Sequence, residues 1–219
     1  MDSIEKYAKI FDESYPDYAD SRYGEIKKLV EVYDAPGVPD LIAGEDFKRF
    51  AALIRPVIAI KNYKSQIPFP EDVAAVIQCV ASIRAAKPLP GDILKVHKVQ
   101  FEKLLSLQGF QLPTVSAVFH FCHPNDFPIV DINVEAACAL LKERYPDALK
   151  NIEEPSLPAA NTSSKNKAEK YLAFIAFITK VKALQAIHSG QSDFRYIDKA
   201  LMVLGVLRLR SKVDAIAAR

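Results

Sequence analysis

The stretch Leu107-Gln108-Gly109-Phe110-Gln111-Leu112-Pro113 is followed by an apolar run from Val115 to Phe121 and then by Phe127-Pro128-Ile129-Val130-Asp131. It reads as helix, tight hairpin, helix, and then a lone carboxylate where the next helix begins. A turn centred on glycine can adopt backbone angles closed to other residues and so aim N–H groups at a phosphate. The helix start that follows adds its positive dipole end. An aspartate a fixed distance downstream then stands to meet whatever that phosphate carries.

Working outward from this stretch, helix is the recurring pattern. Residues 3 to 12 predict a short amphipathic helix ending before Pro16, and Ser21 is an N-cap for a second helix through about Val32. Ala35-Pro36-Gly37-Val38-Pro39 is a break. A third helix starts near Glu45. Val57-Ile58-Ala59-Ile60 resembles a strand, but no partner strand is evident, so helix is preferred there. Pro70, with Glu71 and Asp72 in the first turn, opens a helix to about Ala85. Asp92 caps another that reaches Leu107. Pro113 falls in the first turn after the hairpin, where a proline loses no hydrogen bond. His123-Pro124-Asn125-Asp126 ends that helix, and the next spans Ile132 to about Arg144. Residues 151 to 167 are polar and irregular and are expected to form a flexible connection. Helices around Ala168–Ile187 and Ser192–Leu209 complete an all-α chain.

Composition agrees with that class. Half of the 219 residues are hydrophobic, enough for a sizeable core, while seven glycines are few for an all-β protein. No run approaches eighteen uncharged apolar residues, so no membrane span is expected. The opening Met1-Asp2-Ser3-Ile4-Glu5-Lys6 lacks the basic start and apolar block of a signal peptide. Cys79, Cys122 and Cys138 lie within helical patterns without Cys-x-x-Cys spacing; reduced, buried thiols in a cytoplasmic chain are the expectation. The net charge of +2 is unevenly spread. Residues 161–219 hold eleven Lys/Arg against four Asp/Glu, and residues 1–160 hold eighteen against twenty-three. A basic C-terminal third suits phosphate neutralisation, although solvated helix faces account for it equally well.

The hairpin and the later Val130-Asp131 pair resemble the helix-hairpin-helix DNA glycosylase superfamily, the fold of endonuclease III. Its members carry a Leu-Pro-Gly-Val-Gly hairpin, a lysine shortly after it in the bifunctional enzymes, and a Val-Asp pair opening a later helix. Without a gap, the hairpin falls on Leu107 to Gln111 and the acid on Asp131; the close likeness covers roughly residues 100 to 140. The resemblance implies two helical lobes: residues 20–125, containing the hairpin, and residues 1–19 with 126–219. A cleft between them would hold a base, and double-stranded DNA would be the partner. Two positions depart from the pattern. Gln111 replaces the second hairpin glycine, and Pro113 stands where the catalytic lysine would be. Proline has no amine for a Schiff base, so the resemblance implies a monofunctional glycosylase without lyase activity. The three cysteines also exclude the four-cysteine iron–sulfur cluster of many relatives, and no other cofactor is implied.

Each candidate residue carries two readings. Asp131 either stabilises the positive charge that develops on deoxyribose and orients the attacking water, or caps the helix at Ile132 by accepting N–H from Asn133 or Val134. The two roles are compatible. Gly109, Phe110 and Gln111 either hold a phosphate through backbone N–H groups or form an ordinary helix-terminating turn. Lys95, Lys98 and Lys103 either reach the DNA backbone or solvate a helix face. His120, Cys122 and His123 suggest a metal, but i and i+2 positions diverge on a helix, so a core cysteine beside two structural histidines is preferred. Arg195 and Lys199 either contact DNA or form ion pairs around Asp198, and ion pairs are the simpler reading. The competing class for the whole chain is a non-catalytic module that binds nucleic acid or protein.

Overall fold

The computed structural model describes residues 2–14, 79, 82, 93–107, 109–122, 126–189 and 194–217. These residues form helices joined by turns and extended segments, with no strand among them. In chain order the helices are α1 (Asp2–Ser14), α2 (Ile93–Ser106), α3 (Leu112–Cys122), α4 (Ile132–Arg144), α5 (Ser164–Ser189) and α6 (Phe194–Ala217). Cys79 and Ser82 are also helical, as the Pro70–Ala85 pattern predicts. The readings at Ser21–Val32, Ala35–Pro39, Glu45 and Val57–Ile60 lie outside the described residues. Among the described residues no helix is long and apolar enough to cross a membrane.

The chain divides into two compact units. One comprises Met1–Pro16, Pro128–Ala159 and Glu169–Arg219; the other comprises Asp17–Phe127 and Ala160–Ala168. In the first unit, α1 and α4 both pack on α6. Ile4, Ala8 and Phe11 recur at helical spacing and form the buried stripe of α1. Ile197, Leu201 and Leu204 do the same on α6, and Tyr171, Phe174, Ile178 and Val181 on α5. In the second unit, α2 packs on α3 around three aromatic rings. Phe119 lies edge-on to both Phe101 and Phe127, with ring centroids 5.0 Å apart in each pair. Edge-to-face packing at this distance sets the positive rim of one ring against the negative face of the other.

The polar segment after α4 differs from its expected freedom. Within the first unit, the Lys142 ammonium donates to the carbonyls of Leu149 and Ile152. Leu157 N–H donates to Glu135 Oε1 at 2.8 Å, and Pro155 is buried. In the second unit, Lys167 Nζ reaches the Ala160 carbonyl at 2.9 Å. Burial lowers the pKa of that ammonium. Helix α5 also begins earlier than expected, because the Ser163 hydroxyl accepts from Asn166 N–H and caps it.

Cys79 and Cys138 are both free and buried. Burial pushes the Cys138 thiol well above its ordinary 9.0, and the charges of Glu154 and Glu135 push the same way. Burial alone holds the Tyr171 phenol well above 10.0. Burial also raises Cys79, opposed by the Lys103 charge. Each group therefore keeps its proton in the fold at a pH where the unfolded chain releases it. The stabilisation is full below the ordinary values and is lost as pH rises through the raised ones. Above pH 9.0 these three groups are expected to lower the melting temperature, and the fall is expected to be less steep for Cys138→Ala than for the parent. An alkaline fall as steep in Cys138→Ala as in the parent would contradict this.

Candidate functional site

The turn between α2 and α3 is built by its own backbone. Leu107 N–H donates to Leu104 O at 3.2 Å, and Phe110 N–H donates to Leu107 O at 3.1 Å. Gly109 sits between these residues at φ 79°, the left-handed region that glycine enters without a Cβ penalty. Helix α3 then starts at once: Val115 N–H donates to Gln111 O at 3.0 Å, with Pro113 in the first turn as its chemistry requires.

This geometry narrows the phosphate reading. Phe110 is core, 2% exposed, and its N–H is already given to Leu107. It therefore offers an incoming anion neither side chain nor amide. Gly109 is exposed and Gln111 half-buried, and both precede the first turn of α3. Among the lysines, Lys98 is exposed and stands 4.0 Å from Glu102, a solvated pair worth little. Lys103 is exposed near the end of α2. Lys95 is helical, and its side chain lies outside the described residues.

Asp131 stands at the N-cap of α4 with extended backbone, φ −158° and ψ −174°. Its Oδ1 accepts from Asn133 N–H at 3.0 Å and Val134 N–H at 3.1 Å, the capping pattern the sequence predicts. The side chain is half-buried. Ahead of it Pro128, Ile129 and Val130 are buried, and the Tyr171 hydroxyl of α5 donates to Pro128 O at 2.8 Å. Behind it, α6 presses Gly205 against the backbone of Asn133. The hairpin belongs to the unit that runs to Phe127, and Asp131 to the unit that resumes at Pro128.

His120 is buried, and its Nδ1 lies 2.7 Å from Phe127 O. It ties α3 to the segment that follows, a structural role. The side chains of Cys122 and His123 lie outside the described residues. Among the described residues no group of three His, Cys, Asp or Glu is arranged to hold a metal ion. Lys199 departs from its expected pairing: its ammonium meets Asp12 of α1 at 2.6 Å and lies over the Phe11 ring, because that face of α6 is turned to α1. The Arg195 side chain lies outside the described residues.

Two residues that shape the surroundings of Asp131 escape sequence reasoning. Gly205 left a trace, since a lone glycine in a helical pattern costs about 1 kcal/mol against alanine and implies a packing reason. Tyr171 left none; a tyrosine at a core position of an amphipathic helix looks like any other buried aromatic. No family model, no curated protein and no solved structure matches this chain.

Proposed function

We propose that this chain is a helix-hairpin-helix DNA glycosylase of the monofunctional kind, with Asp131 as its catalytic carboxylate. The observation that carries the reading is the gapless spacing from the Leu107–Gln111 hairpin to Asp131. Further support comes from Gly109 in the left-handed region and from a carboxylate that is only half-buried.

In this reading the Gly109 turn and the first turn of α3 grip one backbone phosphate, with Lys98 and Lys103 adding charge. The target nucleotide leaves the stack, and its base departs as positive charge builds on the sugar. The Asp131 carboxylate stabilises that charge and orients the water that attacks the anomeric carbon. Pro113 supplies no amine, so water is the nucleophile and the strand is left uncut.

Base release from a panel of damaged and mismatched duplexes tests this directly, with Asp131→Asn as the comparison. Asparagine still accepts from the α4 amides, so the cap survives while the charge is removed. Release is expected to fall by about a hundredfold or more in the variant. No release from any duplex, or release that survives the substitution, would overturn the proposal. Borohydride is expected to trap no covalent adduct with DNA.

A second reading is favoured by Gln111 at the glycine position and by the committed Phe110 amide: a module that binds nucleic acid or protein without chemistry. Salt-dependent duplex binding without base release would select it.

A further inference from the structure

The backbone that delivers Asp131 is fixed on both sides by other helices of its own unit. Three residues ahead, Tyr171 on α5 donates its buried hydroxyl to Pro128 O at 2.8 Å. Two residues behind, α6 brings Gly205 so close that a Cβ there would stand 1.9 Å from the Asn133 carbonyl oxygen. Between the two fixings, Ile129 and Val130 are buried, so the strap has little room to shift. An aspartate that only caps a helix needs its own amides, and Asn133 and Val134 supply them locally. The fixings from α5 and α6 do something else. They set where the carboxylate stands relative to the body of the unit, which matters for a group acting on a reacting atom.

We propose that Tyr171 is a positioning residue for Asp131, acting through the Pro128 carbonyl. Its chemical consequence rests on the glycosylase reading; its geometric consequence does not. Phenylalanine at 171 keeps the ring and its packing but leaves Pro128 O without this donor. The strap loosens, and the carboxylate samples positions away from the productive one.

The test compares Tyr171→Phe with Val181→Ala, which removes buried methyl groups from α5 about 15 Å further along its axis. Amide hydrogen exchange at Asn133 and Val134 reads the geometry. Single-turnover base release and duplex affinity read the chemistry. In Tyr171→Phe, exchange at these two amides is expected to rise about tenfold above that in Val181→Ala. Cleavage is expected to slow by about tenfold with duplex affinity unchanged, a split that general loss of stability does not produce. Equal exchange in the two variants would overturn the positioning role. Raised exchange with equal cleavage rates would overturn its chemical consequence. A parent protein that releases no base would overturn the glycosylase reading and that consequence together, while the exchange result would still decide the geometry.

Discussion

Gly205→Ala is expected to lower the unfolding free energy by about 3 kcal/mol, the upper end of the usual cost of overpacking, and Gly205→Val is expected to leave the unit containing α4 and α6 unfolded. Local propensity argues the other way, since alanine in a helix interior is favoured over glycine by about 1 kcal/mol. Packing decides the sign. A Cβ at 205 would lie 1.9 Å from Asn133 O, 2.5 Å from its carbonyl carbon and 2.6 Å from its Cα. All three are backbone atoms, in the first turn of a helix whose start is tied down by the Asp131 cap. No side-chain rotation relieves the contact; α4 or α6 must move as a body, and the stripe of Ile197, Leu201 and Leu204 then loses its fit. Denaturant unfolding followed by circular dichroism measures the effect. A variant as stable as the parent would show that the two helices do not approach this closely.

Phe119→Ala is expected to cost about 3–5 kcal/mol, the usual range for deleting a buried phenyl ring. Phe119 has no exposed surface and sits between Phe101 and Phe127, so its removal opens a cavity and ends both edge-to-face contacts. Flanking residues cannot readily fill the gap. Phe127 is held through its own carbonyl, which His120 engages, and Phe101 is fixed in α2, where Leu104 and Leu105 are buried as well. Phe119→Leu is expected to cost less, because it keeps most of the buried area while losing the ring geometry. Equal stabilities for the alanine and leucine variants would show that the site collapses around the missing ring.

The elements legible in the sequence are those whose ends are set by a few neighbouring residues. Helix α4 spans Ile132–Arg144 as its pattern predicts, because Asp131 caps it through amides two and three residues away. Pro113 marks the first turn of α3, and Gly109 marks the turn before it, since both residues have restricted or unusual backbone preferences. The start of α5 is less sharply marked. Thr162, Ser163 and Ser164 are all able to cap, and the choice of Ser163 goes with the burial of Lys167 and Ala168 one turn later.

The candidate site divides along the same line. Asp131 is marked by its spacing to the hairpin and by its place ahead of a helix, and its capping bonds follow from sequence neighbours. That Phe110 faces the core and gives away its amide was not legible, because a hairpin consensus does not say which amides the turn itself consumes. Nor was Lys199 meeting Asp12. Charges spaced along one helix suggest partners on that helix, and only packing brings α1 alongside.

By itself the sequence determined the helical class of the described residues, the ends of α3 and α4, the left-handed turn at Gly109 and the cap at Asp131, because each depends on interactions spanning a few residues. The tertiary structure alone decided that residues 149–157 are fastened by Glu135 and Lys142, that Tyr171 holds the strap ahead of Asp131, and that Gly205 admits α4 to near contact. These join residues from seven to more than forty positions apart along the chain. Their strength lies in burial and close approach, which a linear pattern of residue types does not encode.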